Sequence, residues 1–160
     1  VDEGEYTVIS GIAGATDTHV VHERDDPTVM GAAVESSDLA YEMADRDPDD
    51  VDVAELHDMF TILEFLQSEA VGFFDQGEGW KAVDAGWTQA DGKLPVNLSG
   101  GLKSKGHPIG ATGVSMHIMA AMQLMGEAGE MQRAGAETGA VFNMGGAAVA
   151  NYVSILERVK

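Results

Sequence analysis

"NLSGGLKSKGHPIGATG", residues Asn97 to Gly113, packs five glycines, one proline and one histidine between a short apolar run and a long helical pattern. Within it, His107 stands between Gly106, whose φ is unrestricted, and Pro108, whose φ is locked. A side chain in that setting is presented rigidly and with little steric cover, as a general base or an oxyanion donor requires. A turn histidine that merely caps the next helix is the competing reading, and this stretch alone does not choose between them. What it does establish is a junction, strand into glycine-rich loop into helix. That junction sets how the rest of the chain is read.

Immediately before it, "LPVNLS" (94–99) is a short strand that Pro95 delays, and immediately after it "GVSMHIMAAMQLMG" (113–126) is a helix closed by Gly126. Towards the N-terminus, "YTVISGIA" (6–13) reads as a buried strand and "VMGAAVESSDLAYEMAD" (29–45) as a helix punctuated by Pro48. "VDVAELH" (51–57) is a second strand and "MFTILEFLQSEAVGFF" (59–74) an amphipathic helix, while "QGEGWKAVDAGWTQADGK" (76–93) reads as loop. At the far end, "GAVFNMGG" (139–146) and "AVANYVSILER" (148–158) are two strands joined by a tight turn at Gly145-Gly146. The order β-α-β-α-β-α-β-β predicts an α/β fold. Its sheet is expected to be mostly parallel and five-stranded, with an antiparallel last strand and helices on its faces.

In such folds ligands gather beyond the carboxyl ends of the strands. "HDMF" follows the second strand, "SGGLKSKGHPIG" the third and "NMGG" the fourth, so His57, His107 and the loop from Asn143 through Gly145 and Gly146 are expected to converge. Each has a plainer alternative. His57 fits a satisfied core histidine, and Gly145-Gly146 a simple hairpin turn. The functional reading of that turn is a backbone N–H aimed at a developing oxyanion, where glycine lets substrate approach closely. His117 and the stripe Met116, Met119, Met122, Met125 read as packing residues. Lys103 and Lys105 either meet an anionic ligand or are solvated, and "SGGLKSKG" lacks the spacing of a phosphate loop.

The chain of 160 residues carries 27 acidic against 9 basic residues, a net charge of −18. A surface of that sign repels nucleic acid and anionic lipid, so neither is an expected partner. The acid is spread along the chain, a pattern expected of a protein adapted to a salt-rich cytoplasm. There is no cysteine, which excludes disulfides, cysteine metal sites and a thiol nucleophile within these residues. No apolar run approaches the length of a membrane span, and a cytoplasmic location is expected. The first residue is Val1, and the chain reads as a piece of something longer.

Taken together, "ELHDMFTILE", "GEGWKAVDAGWTQADGKLPVN", "NLSGGLKSKGHPIGATG", "QLMGEAG" and "NMGG" resemble the C-terminal half of the thiolase superfamily. The pattern is nearest to archaeal, here haloarchaeal, thiolases of the sterol-carrier-protein type. The resemblance runs from "SGIAGATDT" to "SILER", with residues 1–160 as the C-terminal domain and the nucleophile-bearing N-terminal half absent. It implies reversible Claisen condensation and thiolysis of short 3-ketoacyl-CoA, with coenzyme A thioesters as substrate and no covalently bound cofactor. It also implies a homo-oligomer in the full protein. His107 would be the activating and oxyanion-binding histidine, and His57 the holder of an oxyanion-hole water. Gly145, with Gly146 and Asn143, would form the loop of a second oxyanion hole. Ser99, Gly100, Gly101, Met59 and Phe60 are the candidate substrate contacts. The chain departs from the family where a second reactive cysteine is expected, at Met59 and Asn143. Either His57 has taken over the acid/base work, or the chain is a non-catalytic thiolase-fold subunit that binds acyl-CoA or a partner enzyme. Removal of the other half predicts an exposed apolar face.

Overall fold

The computed structural model describes residues 5–159. Four strands, β1 (Tyr6–Thr16), β2 (Val53–Leu56), β3 (Thr138–Gly145) and β4 (Ala150–Val159), form one sheet in the order β1-β4-β3-β2. Five helices accompany it: α1 (Gly31–Ala44), α2 (Thr61–Ala70), α3 (Gly79–Asp84), α4 (Gly101–Lys105) and α5 (Thr112–Met125). The α/β class and the helix-covered sheet are as expected. The pairing is not: β4 inserts between β1 and β3 and runs antiparallel to both, so only β2 and β3 form a parallel pair.

The expected fifth strand is reduced to a single bridge, Val96 with Ala54. Its backbone explains why. Pro95 has no N–H to donate, the Val96 N–H turns to the Thr88 carbonyl at 3.0 Å, and Asn97 adopts φ 53°. The Asn97 side chain then substitutes for the lost ladder bond, its Oδ1 accepting the Leu56 N–H at 2.8 Å. Two short helices fall where the sequence predicts loop. Both α3 and α4 are too brief for their periodicity to show.

Helices cover both faces. Small residues of α1 (Ala33, Ala40, Ala44) and the α2 end residue Ala70 join Leu56, Phe142, Val153 and Ile155 on one face. Gly11 makes the α1 contact possible, since a Cβ there would lie 2.1 Å from the Ala40 carbonyl oxygen. On the opposite face, Met116, Ala120 and Leu124 of α5 pack on Val53, Val141 and Leu156. Of the methionine stripe, only Met116 is fully buried. The α5 face extends past that helix: Ile9 pairs with Leu156 and Ile12 with Ser154, so both isoleucines point to the α5 side and remain exposed. Among the described residues no helix is long and apolar enough to cross a membrane.

Candidate functional site

Because β2 and β3 are parallel neighbours, their carboxyl ends leave the sheet at the same edge. Leu56 pairs with Phe142, so the next residues, His57 and Asn143, emerge side by side. His57 is buried, with 2% of its surface exposed, and its Nδ1 lies 2.7 Å from Asn143 Oδ1. An amide oxygen only accepts, so Nδ1 carries the proton and Nε2 keeps its lone pair. Its backbone is held as well, because Gln67 donates from Nε2 to the His57 carbonyl at 2.7 Å. Burial is the main force on its titration and pushes the imidazole below its usual pKa of 6.5, reinforced by His107 and opposed by Asn143 and Asp58. His57 is therefore neutral at pH 7.

His107 comes to the same place from α4, and the two rings meet edge to face with centroids 4.9 Å apart. Its Nδ1 lies 2.8 Å from Thr112 Oγ1, and that hydroxyl donates its own proton to the Pro108 carbonyl at 3.2 Å. Oγ1 must then accept from His107, which again places the proton on Nδ1 and leaves Nε2 free to take one. Both imidazoles are thus held in the same tautomer by their surroundings. Unlike His57, His107 is exposed.

The remaining expected site residues are distributed around this pair. Gly145 closes β3 with open space above its Cα, and the turn beyond it is longer than the two-glycine turn expected. Gly146, Ala147 and Ala148 all take positive φ, and the Val149 N–H closes the turn on the carbonyls of Gly145 and Gly146 at 3.1 Å each. Positive φ is uncommon for alanine, so this turn is held from outside. Arg24 donates to the Ala147 carbonyl at 3.0 Å and Asn151 to that of Ala148 at 2.9 Å. Met59 and Phe60 line an apolar cavity of about 140 Å³ with Leu63, Leu66 and Met144. A wider cavity of about 500 Å³, beside Phe73, Phe74 and Trp87, includes none of the site residues. Gly100, just before α4, and Gly101, its first residue, take φ 86° and 62°, and the Ser99 hydroxyl donates to Glu55 Oε2 at 2.8 Å. Lys105 is committed to Glu55 at 3.3 Å.

Both histidines stand out in the sequence, whereas the groups that orient them do so unevenly. Gln67 was legible, a polar residue on the buried stripe four positions from Leu63 and from Val71. Thr112 and the orienting role of Asn143 had no such mark. They depend on which loops meet.

The comparisons place the chain in a family. Residues 13–158 match the family model described as "Thiolase C-terminal domain-like". The chain is 42% identical over 158 residues to the acetyl-CoA acetyltransferase of Methanothermobacter thermautotrophicus, covering 96% of this chain and 41% of that protein. It is 46% identical over 117 residues to sterol carrier protein 2 of Rattus norvegicus, covering 72% of this chain and 21% of that protein. A solved structure named "Ltp2-ChsH2(DUF35) aldolase" superimposes with a TM-score of 0.88 over 98% of this chain and 41% of its own, at 23% identity, a likeness of fold alone. The chain thus spans about two fifths or less of the length of these relatives. With the imidazole pair at the carboxyl edge of the sheet and a family match from residue 13 to residue 158, the chain belongs to the thiolase C-terminal-domain family.

Proposed function

We propose that this chain is the C-terminal half of an acetyl-CoA C-acyltransferase that cleaves and forms short 3-ketoacyl-CoA thioesters. The observation that carries the reading is the pair of imidazoles 4.9 Å apart, each with Nδ1 occupied and Nε2 free. A nucleophile from the part of the relatives that this chain does not span would meet the exposed His107. Its Nε2 takes the nucleophile's proton as the acyl group is accepted, and once protonated it donates to the developing oxyanion. His57, neutral and fixed by Asn143, takes over the acid/base work of the second cysteine, whose positions are held here by Met59 and Asn143. It carries the proton to and from the leaving carbon, or holds the water of the oxyanion hole. The Gly145 loop supplies backbone N–H groups, and Met59 and Phe60 border the space for a short acyl group.

The same reading takes coenzyme A thioesters as the substrate, with no covalently attached cofactor, in a cytoplasmic protein that is a homo-oligomer when whole. The net charge of −18 supports a salt-adapted archaeal source. Met59 and Asn143, neither able to shuttle a proton, favour one second reading, a non-catalytic thiolase-fold subunit that binds acyl-CoA or a partner enzyme.

Acetoacetyl-CoA thiolysis by this chain joined to its N-terminal half separates the two. Turnover that falls about two to four orders of magnitude in His107→Ala is expected of the catalyst. Acyl-CoA binding with no turnover in the unmutated assembly would establish the second reading, and a near-normal rate in His107→Ala would remove His107 from the chemistry.

A further inference from the structure

His107 projects from the end of α4, and α4 has five residues, too few for a helix to hold itself. Its position is set from β2 and the two residues that follow it. At its start, Asp58 Oδ1 accepts the Leu102 N–H at 2.7 Å, and a Cβ on Gly101 would lie 2.2 Å from Asp58 Oδ2. Along its underside, Glu55 Oε2 takes the Ser99 hydroxyl at 2.8 Å and Lys105 Nζ at 3.3 Å, while Ser99 Oγ accepts the Gly101 N–H at 3.3 Å. The Glu55 and Lys105 side chains are only 4% and 24% exposed. A carboxylate and an ammonium so placed are not favoured by stability. Apolar residues of the same volume in place of a buried ion pair are often neutral or stabilising, whereas removal of one partner is costly. What the pair supplies is a unique geometry, at the helix that delivers one imidazole and on the strand that ends at the other.

We infer that Glu55 is a positioning residue for His107: through Lys105 and Ser99 it locks α4 so that the His107 ring meets His57 with its Nε2 free. One strand, β2, then sets both halves of the imidazole pair, His57 directly and His107 through α4. This assignment rests on the acyl-transfer reading for its consequence in catalysis, but not for the geometry itself. Lys105 is thereby occupied within the protein and is not a phosphate contact.

The test uses Glu55→Gln, the paired Glu55→Met/Lys105→Met and Lys105→Arg. In the 160-residue chain, the melting temperature and the imidazole ¹H–¹⁵N spectrum of His107 are read. In the assembly with the N-terminal half, kcat and KM for acetoacetyl-CoA are read. The paired methionines should melt at or above the unmutated temperature, yet His107 should lose its single Nδ1–H form. In the assembly kcat should fall by about a hundredfold, as for a small displacement of a working group, with KM within about twofold. Lys105→Arg, which keeps the charge opposite Glu55, should retain both signals. If the paired variant does not fold, Glu55→Gln, which keeps the shape and removes the charge, decides through the His107 spectrum and kcat, with a lowered melting temperature expected from the unpaired Lys105. An unchanged His107 tautomer and an unchanged kcat in the folded variants would overturn the assignment. Absence of turnover in the unmutated assembly would instead overturn the acyl-transfer reading, and the His107 spectrum would still decide whether Glu55 sets the ring.

Discussion

His57 is an imidazole kept neutral by its burial, and that has a sign in stability as well as in chemistry. Its folded pKa lies below the ordinary 6.5, so on acidification the unfolded chain takes up a proton that the folded chain refuses. Stability from this group is fully present above about pH 6.5 and is lost as pH falls towards the folded pKa. Glu55 and Glu64, both raised by burial, act in the opposite sense: their contribution is present below their ordinary 4.5 and is lost as pH rises through their folded values. Comparing the chain with His57→Asn isolates the histidine. Melting temperatures measured from pH 7 to pH 5 should fall less steeply in the variant, and equal slopes would mean that the buried neutral ring is not the cause. Ala147 and Ala148 show a different residue-scale effect. Their positive φ is held by Arg24 and Asn151, and the two alanines extend the turn beside the proposed oxyanion donor Gly145.

At the scale of elements, α5 controls the site from its first turn. Gly113 sits against Asn143, where an added Cβ would come within 2.8 Å of Nδ2. Replacing glycine by alanine inside a helix normally gains up to about 1 kcal/mol. Gly113→Ala is therefore expected to leave the melting temperature near its original value while pushing Asn143 off His57. The readout is the His57 imidazole spectrum, which should pass from one Nδ1–H form to a mixture. In the assembly, turnover should fall by about tenfold, the equivalent of roughly one hydrogen bond. A melting temperature lowered by several degrees with the His57 tautomer intact would instead make Gly113 a packing residue only. On the α1 side of the sheet, Gly11 likewise allows the helix to lie close.

For the molecule as a whole, the α5 side of the sheet carries Ile9, Ile12 and Tyr152, and α5 itself carries Val114 and Ile118, each at least 50% exposed. Tyr152 stands opposite Gly14 and Asn143, and Ile12 opposite Ser154, the residue His117 bonds from α5 at 2.9 Å, so these side chains share a face. An apolar face of this kind marks an interface. The isolated chain is expected to self-associate in sedimentation velocity, the more so as salt rises. Charges of a −18 chain repel over about 10 Å at 0.1 M salt but only about 3 Å at 1 M. Ile12→Lys with Ile118→Lys should restore the monomer. A chain that stays monomeric at high concentration and high salt with this face intact would refute the interface.

Much of this was written into local sequence. The apolar periodicities of α1, α2 and α5 and the β-rich runs of β1 to β4 specify α/β because each pattern buries one face of its own element. The setting of His107 between Gly106 and Pro108 is local too, since it depends on the dihedral freedom of its two neighbours. Other features depended on residues distant in sequence. That β4 enters between β1 and β3 follows from which edges can be paired, not from anything in "AVANYVSILER" itself. That "LPVNLS" yields one bridge follows from Asn97 turning its side chain to Leu56 in place of its backbone. The tautomers of His57 and His107 are determined by Asn143, 86 residues away, and by a hydroxyl whose proton is already given to Pro108. Periodicity records what a segment does with its own faces, whereas a hydrogen bond between loops exists only once the chain has brought them together.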